Sequence, residues 1–153
     1  MAILGYSLLA IAIFITDLLI KNHIENMEIA EGEKSLMGGR LLLHRYHNRG
    51  AFLNVGERRR GMVSVLSLVL TLGATMLFLA TFTYRGSRIM KVGLAFLLGG
   101  AYSNTYDRLV RKYVVDYVSF PFKNQKIRNI VFNISDFCIM VGALLLVIGS
   151  GDI

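Results

Sequence analysis

The sequence predicts an all-α membrane protein: a four transmembrane helix bundle with a small β element in the loop after the first helix. Three observations carry that expectation. Hydrophobic residues make up 54% of the 153 positions, and the mean hydropathy is +0.54. Those residues fall in four long blocks, at about 3–21, 62–84, 89–108 and 130–149. A helix needs roughly 20 apolar residues to cross a bilayer, and each block comes close to that length. The chain therefore reads as one integral membrane domain, 1–153, with a surface β element near 36–56.

The first block is apolar up to Asp17, and Lys21 follows four residues later on the same helical face, where the two can pair at the helix end. It has no basic n-region and no small-x-small cleavage pattern, so it reads as a retained helix and not as a signal peptide. Residues 22–61 are too long for a simple turn. Within them, 40–46 (RLLLHRY) and 51–55 (AFLNV) are expected strands on either side of the turn signal His47-Asn48-Arg49-Gly50. His44 and His47 are spaced HxxH, but no third ligand and no HExxH motif accompany them, so no metal is expected.

The second block carries no charge, and Ser64, Ser67, Thr71 and Thr75 recur at helical spacing. A short basic turn at 85–88 makes the second and third helices antiparallel neighbours. In the third block Gly100, Asn104, Asp107 and Arg108 share one face near the C-terminal end. Residues 113–120 (YVVDYVSF) form an extended or interfacial segment interrupted by Asp116. The fourth block opens with Asn133 and Asp136 at i, i+3, and a wholly apolar run follows. A carboxylate at such a place marks a functional site by default.

Chain order alone gathers these residues. In an antiparallel four-span arrangement Asp17, Lys21, Asn48, Asn104, Asp107, Arg108, Asp116, Asn133 and Asp136 all lie near one membrane face. The net charge of +7 comes from basic residues next to apolar spans, which fits anionic lipid and not nucleic acid. The single Cys138 excludes an intramolecular disulfide and reads as packing. No nucleophile pair, phosphate loop or metal motif is present. The available chemistry is carboxylates, an arginine and asparagines. Two adjacent carboxylates share a proton and can hold a water between an acid and a base. Asparagines and an arginine can orient a substrate. Amide hydrolysis fits this set, and proton or cation transport fits it less specifically.

Five motifs in order make the chain resemble the lipoprotein signal peptidase (signal peptidase II) family. They are Asp17-x-x-x-Lys21, Asn48-x-Gly50-Ala51, Gly99-Gly100-Ala101-x-x-Asn104-x-x-Asp107-Arg108, Val114-Val115-Asp116-Tyr117 and Phe132-Asn133-x-x-Asp136. The resemblance implies an intramembrane aspartic endopeptidase without cofactors. It would remove signal peptides from diacylglyceryl-modified prolipoproteins, cleaving just before the lipidated cysteine. It implies Asp116 and Asp136 as the catalytic dyad. Asn48, Gly100, Asn104, Asp107, Arg108 and Asn133 are implied as the supporting, substrate-binding shell, and Asp17 and Lys21 as structural support. A monomer among membrane lipids is expected. Ser103 and Ser135 depart from the glycine and alanine common in the family; Ser135 is expected to bond near the dyad.

The resemblance places the active face outside the bacterial cytoplasmic membrane, with both termini inside. All of the 17 Lys and Arg except Arg85, Arg88 and Lys91 lie on the active face, which by charge alone would be cytoplasmic. The rival reading is a proton-coupled transporter or channel subunit relaying through Asp107, Asp136 and Asp17. Such a protein should carry polar residues near the midplane and often a repeat. Neither is seen here. A non-catalytic lipid-binding protein is the third option.

Overall fold

The computed structural model describes residues 2–27, 34–51, 56–84 and 87–150. Helix α1 (Ala2–Asn26) leads into strands β1 (Lys34–Leu36) and β2 (Leu41–Asn48). Helices α2 (Arg60–Thr83) and α3 (Arg88–Tyr106) follow, then strand β3 (Val114–Ser119), the short helix α4 (Gln125–Arg128) and helix α5 (Ile134–Ser150).

Helix α3 is the centre, with α1, α2 and α5 each packed on it. Its small residues make this possible. A Cβ added to Gly142 of α5 would lie 2.6 Å from the Gly93 carbonyl oxygen and 2.6 Å from the Leu97 nitrogen. A Cβ on Gly99 would lie 2.8 Å from the Ala10 oxygen of α1, and one on Gly100 would run into the Ser135 carbonyl. Backbone therefore meets backbone on two sides of α3, as small residues allow in helices that pack without a water-driven core.

The polarity of the molecule is inverted relative to a water-soluble fold. Leu19, Leu70 and Val147 are 62%, 64% and 72% exposed, whereas Asp17, Lys21 and Asp107 are 0% exposed. Soluble proteins rarely present apolar surface so continuously or bury so many ionisable groups. Among the described residues, the helices spanning Ile3–Asn26 and Glu57–Thr83 are long and apolar enough to cross a membrane, and Ile134–Ser150 is a shorter apolar helix.

The sheet has the order β1-β2-β3, antiparallel throughout. In the register of β2 with β3, Tyr46 pairs with Asp116, His47 with Val115 and Asn48 with Val114, beyond a shift between Leu43 and Tyr46. The segment before α5 joins this sheet: the Phe132 oxygen accepts from the Tyr117 and Val118 nitrogens at 2.9 and 2.8 Å. The 113–120 stretch is thus a paired strand and not merely interfacial. Strand β2 runs through the expected turn as far as Asn48. There the Asn48 side chain accepts from the Gly50 N–H at 3.1 Å, so the turn begins at Asn48. The second expected strand, 51–55, lies outside the described residues apart from Ala51.

Two helix boundaries differ from the apolar blocks. Helix α1 continues to Asn26, because its polar last turn docks on β2: Arg45 Nη1 donates to the Met27 oxygen at 3.2 Å, and His47 Nε2 lies 2.7 Å from Glu25 Oε1. Helix α5 starts at Ile134 and not at 130, since the preceding residues are committed to the bridge with β3. Replacing Gly142 with alanine should force α3 and α5 apart and cost about 1–3 kcal/mol. A lowered thermal midpoint in detergent is expected; an unchanged one would contradict the close-packed interface.

Candidate active site

Asn133 and Asp136 begin α5 as a reciprocal cap. The Asp136 N–H donates to Asn133 Oδ1 at 2.9 Å, and the Asn133 N–H donates to Asp136 Oδ2 at 3.0 Å. This is a capping box, with asparagine at the N-cap and aspartate at the third helical position. Two backbone donors at the helix start are bonded by these side chains, and the Asp136 carboxylate is fixed at the helix entry.

The Asn133 amide does more than cap. Its Nδ2 donates to Asp116 Oδ1 at 2.7 Å and to Asn104 Oδ1 at 3.3 Å. Asn104 Nδ2 in turn donates to Asp136 Oδ1 at 2.9 Å, and Asn48 Nδ2 donates to Asp116 Oδ2 at 3.1 Å. Asn133 therefore connects the two aspartates that the sequence singled out, one on β3 and one on α5. Burial pushes the carboxyl of Asp116 up to about 7, the charge of Asp136 adds to this, and the bonds from Asn48 and Asn133 oppose it.

Behind the aspartates lies a closed ionic frame. Lys21 Nζ lies 2.8 Å from Asp17 Oδ2 and 3.0 Å from Asp107 Oδ2. It also donates to Ser103 Oγ at 3.0 Å and Asn104 Oδ1 at 2.9 Å. Asp17 accepts from Ser103 Oγ at 2.6 Å, from Ser135 Oγ and from Tyr117 Oη at 2.8 Å. Asp107 accepts from the Val115 N–H at 3.3 Å and faces Arg111 Nε at 3.3 Å. Asp107 reaches this frame because α3 runs on through a π-helical turn, Asp107–Arg111, closed by Lys112 at φ 68°. Such turns recur at functional sites.

The aspartates face a cavity of about 560 Å³ between α2, α3 and α5. Asn48, Asn104, Arg108, Asp116 and Asp136 line it together with Leu70, Leu97, Ile139 and Met140. Arg108 crosses its rim, donating to the Asn104 and Gly50 oxygens at 3.3 and 3.4 Å. The lining thus has a polar end at the sheet and an apolar end between α2 and α5. Asp107, Asn133, Asp17, Lys21 and Gly100 stand behind this lining, and Gly100 serves by letting Ser135 approach α3.

All ten residues marked in the sequence come together at one end of the bundle; of the hydroxyls that bind them, Ser103 and Ser135 stood out only as departures from the family pattern, and Tyr117 did not stand out. Tyr117 and Ser103 contact Asp17, and Ser135 bonds to Asp17 and not beside the dyad as expected. The Asn-x-x-Asp cap was available as a motif. The Tyr117 contact, bridging 100 positions, had no local signal. His44 and His47, three apart on a strand, turn to opposite sides: His44 Nε2 meets Ser119 Oγ at 2.7 Å, and His47 meets Glu25.

Solved structures share this helical fold with its apolar exterior. A bacterial membrane enzyme solved at 2.3 Å superposes with a TM-score of 0.77 over 97% of this chain and 88% of that one, at 22% identity. A second, solved at 1.9 Å, gives 0.73 over 94% and 90%, at 20% identity. The signal peptidase (SPase) II family model matches residues 9–150. The lipoprotein signal peptidase of Caldicellulosiruptor bescii is 32% identical over 142 residues, covering 92% of this chain and 87% of that protein. That of Lactiplantibacillus plantarum is 30% identical over 144 residues, covering 94% and 92%. The chain belongs to the signal peptidase II family, a family of peptidases.

The ionic frame makes a direct prediction. Lys21→Met leaves the buried carboxylates of Asp17 and Asp107 without their shared cation, a loss of about 3–5 kcal/mol. The variant should unfold at a markedly lower temperature in detergent, and a wild-type midpoint would show that the cation is dispensable.

Proposed function

We propose that the protein is an intramembrane aspartic endopeptidase that removes the signal peptide from prolipoproteins, cleaving just before a diacylglyceryl-modified cysteine. One observation carries the reading: Asn133 ties Asp116 and Asp136 together on the polar end of a cavity whose other end is apolar and lies between helices. A peptide bond and an attached lipid chain need that combination. The lipid would lie between α2 and α5 while the peptide crosses the sheet end, with Asn48 and Arg108 against its backbone.

In this reading the dyad holds one proton. Asp116, with its raised carboxyl, keeps it, and Asp136 at the entry of α5 carries the charge that a helix N-terminus favours. A water between them loses a proton to Asp136 as its oxygen bonds to the scissile carbonyl carbon. Asp116 protonates the carbonyl oxygen, giving a neutral gem-diol. Return of the proton from Asp136 to the leaving nitrogen breaks the C–N bond. Asp116 recovers its proton as the gem-diol collapses to the new carboxyl, and the dyad is restored. No cofactor takes part. Asn104 and Asn133 hold the carboxylates in place, Lys21 holds Asn104, and Asp107 and Asp17 hold strand β3.

The whole chain would be one integral membrane domain, with α1, α2, α3 and α5 spanning the bacterial cytoplasmic membrane as a monomer. The termini would be cytoplasmic and the dyad near the outer face. Cleavage of a lipidated prolipoprotein by purified enzyme tests the chemistry. Asp116→Asn and Asp136→Asn should each remain folded and lose turnover by several orders of magnitude; full activity in either would remove it from the dyad. In the wild type, kcat/KM should fall about tenfold per pH unit above about 7, as Asp116 gives up the shared proton. A rate rising through that range would contradict the one-proton dyad.

A further inference from the structure

The residues next to the two dyad aspartates in sequence are Tyr117, after Asp116, and Ser135, before Asp136. Both side chains end on the same carboxylate. Tyr117 Oη donates to Asp17 Oδ1 at 2.8 Å, and Ser135 Oγ donates to Asp17 Oδ2. Tyr117 Oη also accepts from the Ile134 N–H at 3.0 Å, which bonds β3 directly to the first turn of α5. Asp17 and Ser135 are fully buried and Tyr117 is 3% exposed, so water does not compete for these bonds. Asp17 itself cannot turn away, because Lys21 and Ser103 hold its Oδ2 from α1 and α3.

We infer that Asp17 sets the separation of the dyad: through the hydroxyls of Tyr117 and Ser135 it holds the chain beside each aspartate and fixes how close Asp116 and Asp136 come. Tyr117 and Ser135 are positioning residues; neither lines the cavity. The inference rests on the dyad reading above and adds to it a determinant of geometry that the aspartates themselves do not carry. The backbone alone gives weaker control. The β3–α5 bridge at Phe132 fixes the strand, and the capping box fixes Asp136 to Asn133. Asp17 adds side-chain ties to the residue beside each aspartate, from behind the site.

Loss of either hydroxyl should let the aspartates drift apart without removing any cavity-lining group. Misplacement of reacting groups by about 1 Å costs on the order of 10²-fold in rate. Tyr117→Phe and Ser135→Ala are therefore expected to lower kcat by about 10- to 100-fold with KM little changed. The alkaline limb of the pH–rate profile should also move to lower pH, because separated carboxylates repel less and share a proton less tightly. Ser135→Ala leaves the backbone approach to Gly100 intact, since the close contact there is with the Ser135 carbonyl and not its hydroxyl.

The test measures kcat, KM, the pH–rate profile and the thermal midpoint of wild type, Tyr117→Phe, Ser135→Ala and Asp116→Asn on one lipidated prolipoprotein. A fallen kcat with a displaced alkaline limb supports the inference. A wild-type kcat and limb in both hydroxyl variants overturns it while an inactive Asp116→Asn leaves the dyad standing. So does a loss of rate that follows the thermal midpoint with the limb unmoved. An active Asp116→Asn would overturn the dyad and this inference together. If Tyr117→Phe fails to fold, Ser135→Ala decides by the same two results.

Discussion

The ion pair between Asp17 and Lys21 is the constraint on which the site depends. Both side chains are fully buried, at 2.8 Å, in the last turns of α1. Removing two charges from water costs several kcal/mol each, and attraction between them only roughly repays it. The pair therefore contributes little net stability by itself, and its value is positional. Every further bond to the pair comes from a different part of the chain: Ser103, Asn104 and Asp107 from α3, Tyr117 from β3 and Ser135 from α5. Four elements that share no local sequence are brought to one register.

The inverted polarity makes such a frame affordable only at one end of the bundle. The rest of α1, α2 and α5 shows leucine, isoleucine and valine to the outside. In an apolar solvent, helices gain little from burying more of the same surface, so contact must come from close backbone approach and from polar groups. Gly93, Gly99, Gly100 and Gly142 supply the first around α3, and the Lys21 cluster supplies the second. The same arrangement leaves a gap between α2 and α5, which with α3 and the edge of the sheet becomes the cavity.

Much of this was legible in the sequence. The four helical blocks stand out because each is dominated by a long apolar run, with the polar residues of the first and third confined mostly to one end, and chain order alone brings nine polar residues to one face. Asp17 and Lys21 announced themselves by i, i+4 spacing inside such a run. Three features were hidden. The pairing of β2 with β3 spans nearly seventy residues, from Asn48 Nδ2 to Asp116 Oδ2, and no hairpin signal links them. The entry of α5 was blurred because Ile130, Val131 and Phe132 are as apolar as the helix they precede, although Phe132 belongs to the sheet. The hydroxyls of Ser103, Tyr117 and Ser135 were invisible as a group, since a common partner on another helix leaves no periodicity behind.

In the proposed reading, Asn48, Asn104 and Asn133 hold the two carboxylates on one cavity so that one proton serves both. Infrared spectroscopy of the carboxyl groups in lipid, wild type against Asp116→Asn, tests this most directly. A protonated buried carboxyl band should persist at pH 6 in the wild type, vanish through a titration near 7 and be missing in the variant. Fully ionised carboxylates at pH 6 in the wild type would contradict the shared proton and the account built on it.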